Sequence, residues 1–440
     1  MKTIDRFPYF TVQFNKAGAV HRPGEVEALT RHLAVAGATD LVVISHGWNN
    51  DMAEADALYE AFLTQADHLV AGGRPAGLGD RRFVVLGVLW PSKKFTDKEL
   101  IPSGAAGVTG GLGTADLVEK LDQLADAFDA PDAAERIGRL KALLPRLEDS
   151  DAACRQFAEE ARGLVAGGSA DPEDASDAFR SMDAADLFER MSRPVSFVSE
   201  GASSEAGGGG AAGIGMSDGG AAGFMDFLSG ALSGARNLLN YTTYYQMKER
   251  AGRVGAGGLN PVLRGIQAVH AGLRVHLVGH SFGGRLVTAA ASAGGIRVAS
   301  LSLLQAAFSH HGFSPDWNGR GDAGAFWGVL AGRVVAGPVV ITCTVNDKAV
   351  GVAYPLASLL AGQNASGLGD KNSAYGGMGR NGAQKTPGTV ETPMQAAGAG
   401  YQLEGGRIYN LGADRFVADH GDVANVNVVY AVLSAVAVAR

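Results

Sequence analysis

The chain has 440 residues, more than one domain usually holds, so its length implies two domains or one domain carrying a large insertion. An apolar fraction of 46% is enough for a sizeable core, while a formal net charge of -7 offers no basic field for a phosphate backbone and excludes nucleic acid as a main partner. Only Cys154 and Cys343 are present, far apart and the second inside an apolar run, which excludes a disulfide framework.

The first ten residues, Met1 to Phe10, meet charge and proline before any apolar stretch can form, so no signal peptide is read and a cytoplasmic location is expected. Runs rich in Val, Ile and Leu follow at Leu41 to Ile44, Phe83 to Trp90, Val275 to Val278, Leu301 to Leu304, Val339 to Val345 and Ile408 to Leu411. They lack period-two alternation, which suits strands buried on both faces of a parallel sheet. Helical patterns such as Ala53 to Val70 and Gly284 to Ala293 lie between them. The expected fold is therefore α/β, a doubly wound and mostly parallel sheet.

The alternation breaks between about Pro91 and Pro261. Leu117, Leu121, Leu124 and Phe128 recur at helical spacing, as do Ile137, Leu140, Leu144 and Leu147, and Asp171 to Met191 reads as further helix. Gly201 to Gly223 is almost all Gly, Ala and Ser, too poor in apolar bulk to order itself. An amphipathic helix is expected next, with Phe224, Phe227, Leu228, Leu232, Ala235, Leu238 and Leu239 on one side; as a lid, it would turn that side to the site and select an apolar group. The organisation expected is a core from residues 1–91 and 260–440, with residues 92–259 inserted as a helical cap. A second insertion, Ala361 to Gly400, is Gly-rich and polar and reads as loop. The apolar stretch Val426 to Ala439 falls short of the roughly 20 residues of a membrane span. It reads as a packed terminal helix, and no transmembrane segment is expected.

Gly279-His280-Ser281-Phe282-Gly283 matches the nucleophile elbow G-x-S-x-G. Gly215-Met216-Ser217-Asp218-Gly219 matches too, but lies in the low-complexity tract with no strand before it and no helix after it. Ser281 follows the apolar strand Arg274 to Val278 and precedes a small-residue helical pattern, which is the context the motif requires. A serine hydroxyl needs a base, and the base needs a partner that fixes its tautomer. Of ten histidines only His310, His311 and His420 follow Ser281, and the first two precede the best acid candidate. His420 lies in the polar loop Ala418 to Asp422, after the last strand. His276 and His280 flank the elbow and read as packing or supporting residues. Asp347 ends the run from Val339 and is the candidate acid, with Asp316 and Asp414 as rivals. The amides of Phe282 and of Trp48, in the loop Ser45 to Asp51, are the candidate oxyanion donors.

On His46-Gly47, the elbow, Asp347 and His420, the chain resembles the α/β-hydrolase superfamily. His46-Gly47-Trp48-Asn49-Asn50-Asp51, Trp90-Pro91-Ser92 and Asn346-Asp347-Lys348-Ala349-Val350-Gly351 are similar to a little-characterised bacterial lipase- or esterase-like group. The resemblance covers about residues 7–92 and 260–440. It implies a serine hydrolase acting on a small-molecule or lipid ester through an acyl-enzyme on Ser281, without a cofactor. A thioesterase, amidase or acyltransferase shares that chemistry, and a binding protein shares the fold. Gly377-Met378-Gly379-Arg380-Asn381-Gly382 fits G-x-G-x-x-G, but no strand precedes it and no dinucleotide site is expected. Sparse Cys and scattered His offer no zinc site.

Overall fold

The computed structural model of the chain describes residues 1–48, 50–92, 113–124, 127–165, 171–174, 176–192, 230–347 and 371–440. Among the described residues nine strands form one sheet: β1 Lys2–Ile4, β2 Phe7–Gln13, β3 Asp40–Ser45, β4 Phe83–Leu89, β5 Arg274–His280, β6 Ser300–Leu304, β7 Val339–Cys343, β8 Thr389–Pro393 and β9 Ile408–Gly412. Their order is β1-β2-β4-β3-β5-β6-β7-β9-β8. Every neighbouring pair is parallel except β1 with β2. The six apolar runs are β3, β4, β5, β6, β7 and β9. In β3 and β4 every residue is buried, because helices cover both faces, and that is why these strands read as unbroken apolar runs.

Two expectations change here. The stretch read as loop contains β8, an edge strand paired with β9; its residues are half-buried or exposed and it ends in Pro393, so it carries no apolar run to read. β7 stops at Cys343, so Asp347 stands in a turn beyond the strand and not at its last residue.

Helices α1 Pro23–Ala36, α2 Met52–Ala71, α3 Thr114–Leu124, α4 Ala133–Leu143, α5 Asp151–Gly163, α6 Ser176–Ser181, α7 Ala184–Met191, α8 Ala231–Arg253, α9 Asn260–Val269, α10 Phe282–Ser292 and α11 Val426–Val438 complete the frame. On one face Tyr9, Val42, Ile44 and Val85 pack with Tyr59 and Phe62 of α2 and with Val428 and Val432 of α11. On the other, Val12, Val43, Val84 and Leu277 share one apolar cluster with Leu140, Phe157, Leu187 and Leu238 of the inserted helices. Each such side chain contributes about 1.5–3 kcal/mol when taken out of water, so the helices between β4 and β5 are joined to the sheet by a shared core.

The helical spacing of Leu117, Leu121 and Leu124 and of Ile137 and Leu140 is realised in α3 and α4, where all five are buried. The stretch from Asp171 is broken into a 3-10 turn, Pro172–Asp174, and the short helices α6 and α7. The one-sided helix expected around Leu238 is buried on every side in α8. Many of its polar groups find partners inside, which lowers the cost of that burial, although Tyr245 Oη, Glu249 Oε1 and Arg250 Nε are buried without a hydrogen bond. Thr242 and Thr243 donate to the carbonyls of Leu238 and Leu239 at 2.7 Å. Arg250 donates to Ala127 O at 2.7 Å and Asp129 Oδ1 at 2.6 Å. Lys248 pairs with Asp174 and, at 2.8 Å, with Asp171, whose carboxylate also meets Arg285 of α10 at 2.7 Å. Ser217, Gly201 to Gly223, Phe224, Phe227 and Leu228 lie outside the described residues.

Cys154 and Cys343 are both free thiols. Among the described residues no helix is long and apolar enough to cross a membrane.

Candidate functional site

The sheet order puts the C-terminal ends of β3, β5, β6, β7 and β9 side by side, and the chain leaves that edge at each of the residues singled out by sequence. Ser281 sits between β5 and α10 with φ 54° and ψ -123°, a left-handed conformation that costs a non-glycine residue about 1–3 kcal/mol. Three backbone bonds hold it there: its amide donates to Leu304 O, and its carbonyl accepts from the amides of Gly284 and Ala307, all at 3.0 Å. The turn is closed so tightly that a side chain at Gly283 would strike the carbonyls of Ser45 and His46.

The loop after β3 lies against this serine. A β-carbon on Gly47 would stand 2.8 Å from Ser281 Cβ and 3.1 Å from His280 Nδ1. The Trp48 ring meets the Phe282 ring edge-on at 6.0 Å. Phe282 opens α10, so its amide has no acceptor within the helix. The two candidate oxyanion donors, Trp48 and Phe282, thus belong to segments packed around Ser281.

His46 holds the loop in shape. Its Nδ1–H donates to Gly47 O at 2.8 Å, and its ring stacks on Trp90 with centroids 5.6 Å apart. Burial pushes its pKa down to about 4, so it is neutral near pH 7. Tyr59, which sequence reasoning missed, accepts from the His46 amide and donates to Val88 O, both at 2.7 Å. His46-Gly47 and Trp90-Pro91-Ser92, two separate marks in the sequence, are therefore one contact in the fold.

Asp347 is fully buried in the turn after β7, and His420 Nδ1–H donates to its Oδ2 at 2.9 Å. That bond fixes the tautomer and leaves Nε2 as the basic nitrogen. Burial alone would depress the imidazole pKa, but the Asp347 carboxylate outweighs it and the net direction is up. Asn346 braces the two loops, donating to Asp414 O at 3.0 Å and Val417 O at 2.8 Å. Among the described residues no hydrogen bond joins Ser281 Oγ to the His420 ring. What links them is His280, the neighbour of Ser281, whose ring lies 4.8 Å from that of His420 and whose Nε2–H donates to the His420 carbonyl at 2.8 Å.

The rivals are placed elsewhere. Asp414 accepts from the Val345 amide at 2.9 Å and supports the turn that carries Asp347. Asp316 accepts from Gly321 N at 3.0 Å within its own loop. His310 and His311 are buried with ring centroids 4.0 Å apart, and His310 Nδ1 faces Asn381 Nδ2 at 3.1 Å. Burial holds both imidazoles below the usual range. The G-x-G-x-x-G string forms the short helix Met378–Asn381, whose Gly379 packs on Gln305 beyond β6. Among the described residues no group of three or more His, Cys, Asp and Glu is arranged to hold a metal ion.

The arrangement unites a strained serine, a loop glycine packed on it, and a carboxylate-bound imidazole whose main-chain carbonyl accepts from His280, the neighbour of the serine. Comparisons with protein-family models, with curated proteins and with solved structures find no match to this chain.

Proposed function

We propose that the chain is a serine hydrolase of the α/β-hydrolase type, cleaving carboxylic ester or lipid acyl bonds through an acyl-enzyme on Ser281. The observation that carries this reading is the pairing of two features at one sheet edge. One is the left-handed Ser281 at a strand-to-helix turn, and the other is the buried Asp347 bound at 2.9 Å to His420. Structural packing alone gives no reason to strain a serine beside such a pair.

In this mechanism His420 Nε2 takes the proton of Ser281 Oγ as the oxygen attacks the acyl carbon. Asp347 keeps the imidazole in the required tautomer and stabilises its protonated form. The amides of Trp48 and Phe282 receive the negative charge that develops on the acyl oxygen, at about 3 kcal/mol per donor. The carbon–oxygen bond to the alcohol then breaks, and His420 delivers the proton to the departing alkoxide. Water, deprotonated by His420, releases the acid and restores Ser281. The same acyl-enzyme step serves a thioester or amide.

Fluorophosphonate labelling and p-nitrophenyl ester hydrolysis test the proposal. Wild type is expected to label and turn over, Ser281→Ala to do neither, and Ser217→Ala to do both. Stoichiometric labelling of Ser281→Ala, or no labelling of wild type, would overturn it.

A further inference from the structure

We propose that His280 is a positioning residue, fastening the main chain at His420 to the residue next to Ser281 and so setting the distance between base and nucleophile; this rests on the hydrolase reading. His420 lies in a loop with internal bonds, Ala418 N to Asp422 Oδ2 at 3.1 Å, Gly421 N to Asp419 Oδ1 at 2.8 Å and Asp422 N to Asp419 O at 3.4 Å, and its ends are tied by Asn346 to Val417 O at 2.8 Å and by Asn425 to Asp422 O at 3.0 Å. These bonds shape the loop and hold its ends, and the place of His420 itself is set by its own contacts. Two hydrogen bonds of His420 reach beyond the loop: its ring to Asp347, in the turn after β7, at 2.9 Å and its carbonyl to His280 Nε2, at the end of β5, at 2.8 Å. The first sets the direction of the imidazole, and the second sets its height above the elbow.

His280 is suited to that task and to no proton transfer of its own. Facing a carbonyl, Nε2 must carry the hydrogen, so the ring is the neutral Nε2–H tautomer. Burial, with His420 alongside, pushes its pKa down to about 3 and keeps it so. Its Nδ1 is buried without a partner and lies beside Gly47. His280 also joins Ser281 by a peptide bond, so displacement of the His420 loop is measured directly against the serine.

The experiment compares wild type with His280→Gln, His280→Asn and His280→Met, each checked for folding by thermal melting. Glutamine can bring an N–H to about the place of Nε2, asparagine is too short to reach the carbonyl, and methionine has the reach without the donor. The readouts are kcat and KM for a p-nitrophenyl ester and the downfield proton resonance of His420 Nδ1–H, which needs no turnover. His280→Asn is expected to lower kcat on the order of 10²-fold, as a displacement near 1 Å does, with KM unchanged and the resonance broadened. His280→Gln is expected to recover both. Should His280→Asn fail to fold, His280→Met against His280→Gln makes the same comparison. Equal behaviour of the donor and donorless variants, or a resonance left sharp by loss of the donor, would overturn the proposal. If wild type hydrolyses no ester, the hydrolase reading fails while the resonance still decides whether His280 holds His420.

Discussion

Asp347 Oδ2 and His420 Nδ1 lie 2.9 Å apart although 73 positions separate them in the chain. The relation follows from the sheet: β7 and β9 are parallel neighbours, so the turns that leave their C-terminal ends face one another. Because Asp347 is fully buried and meets the ring along one nitrogen, the imidazole is held in one tautomer. On the hydrolase reading, Asp347→Asn is expected to lower kcat by about 10⁴-fold, the effect of a wrongly oriented tautomer. Asp414→Asn and Asp316→Asn are expected to cost far less, since neither side chain bonds to His420. Steady-state kinetics of the three variants checks the ranking.

The pH profile carries a second expectation. A base works when unprotonated, so kcat/KM of wild type should rise with pH through an apparent pKa above the ordinary imidazole value of about 6.5. In Asp347→Asn the carboxylate that raises the pKa is gone while burial remains. The acidic limb of its residual activity should therefore move to lower pH. A limb that stays in place would assign it to another group.

Glu173 gives a stability prediction. Burial, then the nearby Asp171 and Asp174, pushes its pKa up to about 7, and its Oε2 is buried without a partner. A carboxyl with a raised folded-state pKa contributes most at low pH, and that contribution fades as pH climbs through the folded value. Glu173→Gln removes the charge and is expected to stabilise the fold on the order of 2 kcal/mol at pH 8, with little gain near pH 4. Urea unfolding at the two pH values measures the difference.

Asp40 works in the opposite sense. It is fully buried at the start of β3, receives Arg274 on both oxygens at 2.8 Å, and meets His276 Nε2 at 2.9 Å. Burial alone would raise its pKa, but these partners hold it well below the usual carboxylate range. Its contribution is complete above the unfolded value of about 3.9 and is lost as pH falls through the folded one. Asp40→Ala, which strands Arg274, is expected to cost about 3–5 kcal/mol at neutral pH, with the gap to wild type closing in acid. Denaturant melts across pH 2 to 7 would show a constant gap if the interaction were not ionic.

What could be read from sequence was whatever burial writes into composition. Leu41 to Ile44 and Phe83 to Trp90 announced strands because both of their faces are covered. Thr389 to Pro393 did not, because an edge strand half in solvent needs no apolar residues. The elbow at Ser281 was legible, since its glycines and its flanking strand and helix are all local. The pairing of Asp347 with His420 was legible only as chain order. The contact of His280 with the His420 carbonyl left no mark, because a main-chain acceptor has no residue type. The burial of α8 was hidden for a related reason: the charges of Lys248 and Arg250 are paired by Asp171, Asp174 and Asp129, which are distant in sequence.

α8 runs without interruption through the π-helical turn Val254–Leu259 into α9, so the helical segment that leads to β5 is one continuous rod. At the π turn the rod passes so close to α10 that a side chain on Gly255 would collide with Leu286 O. That close approach ties the helices before β5 to α10, which packs on the sheet. Heating should accordingly melt those helices and the sheet in a single cooperative transition, with equal calorimetric and van't Hoff enthalpies, in a chain whose length would otherwise suggest separate steps.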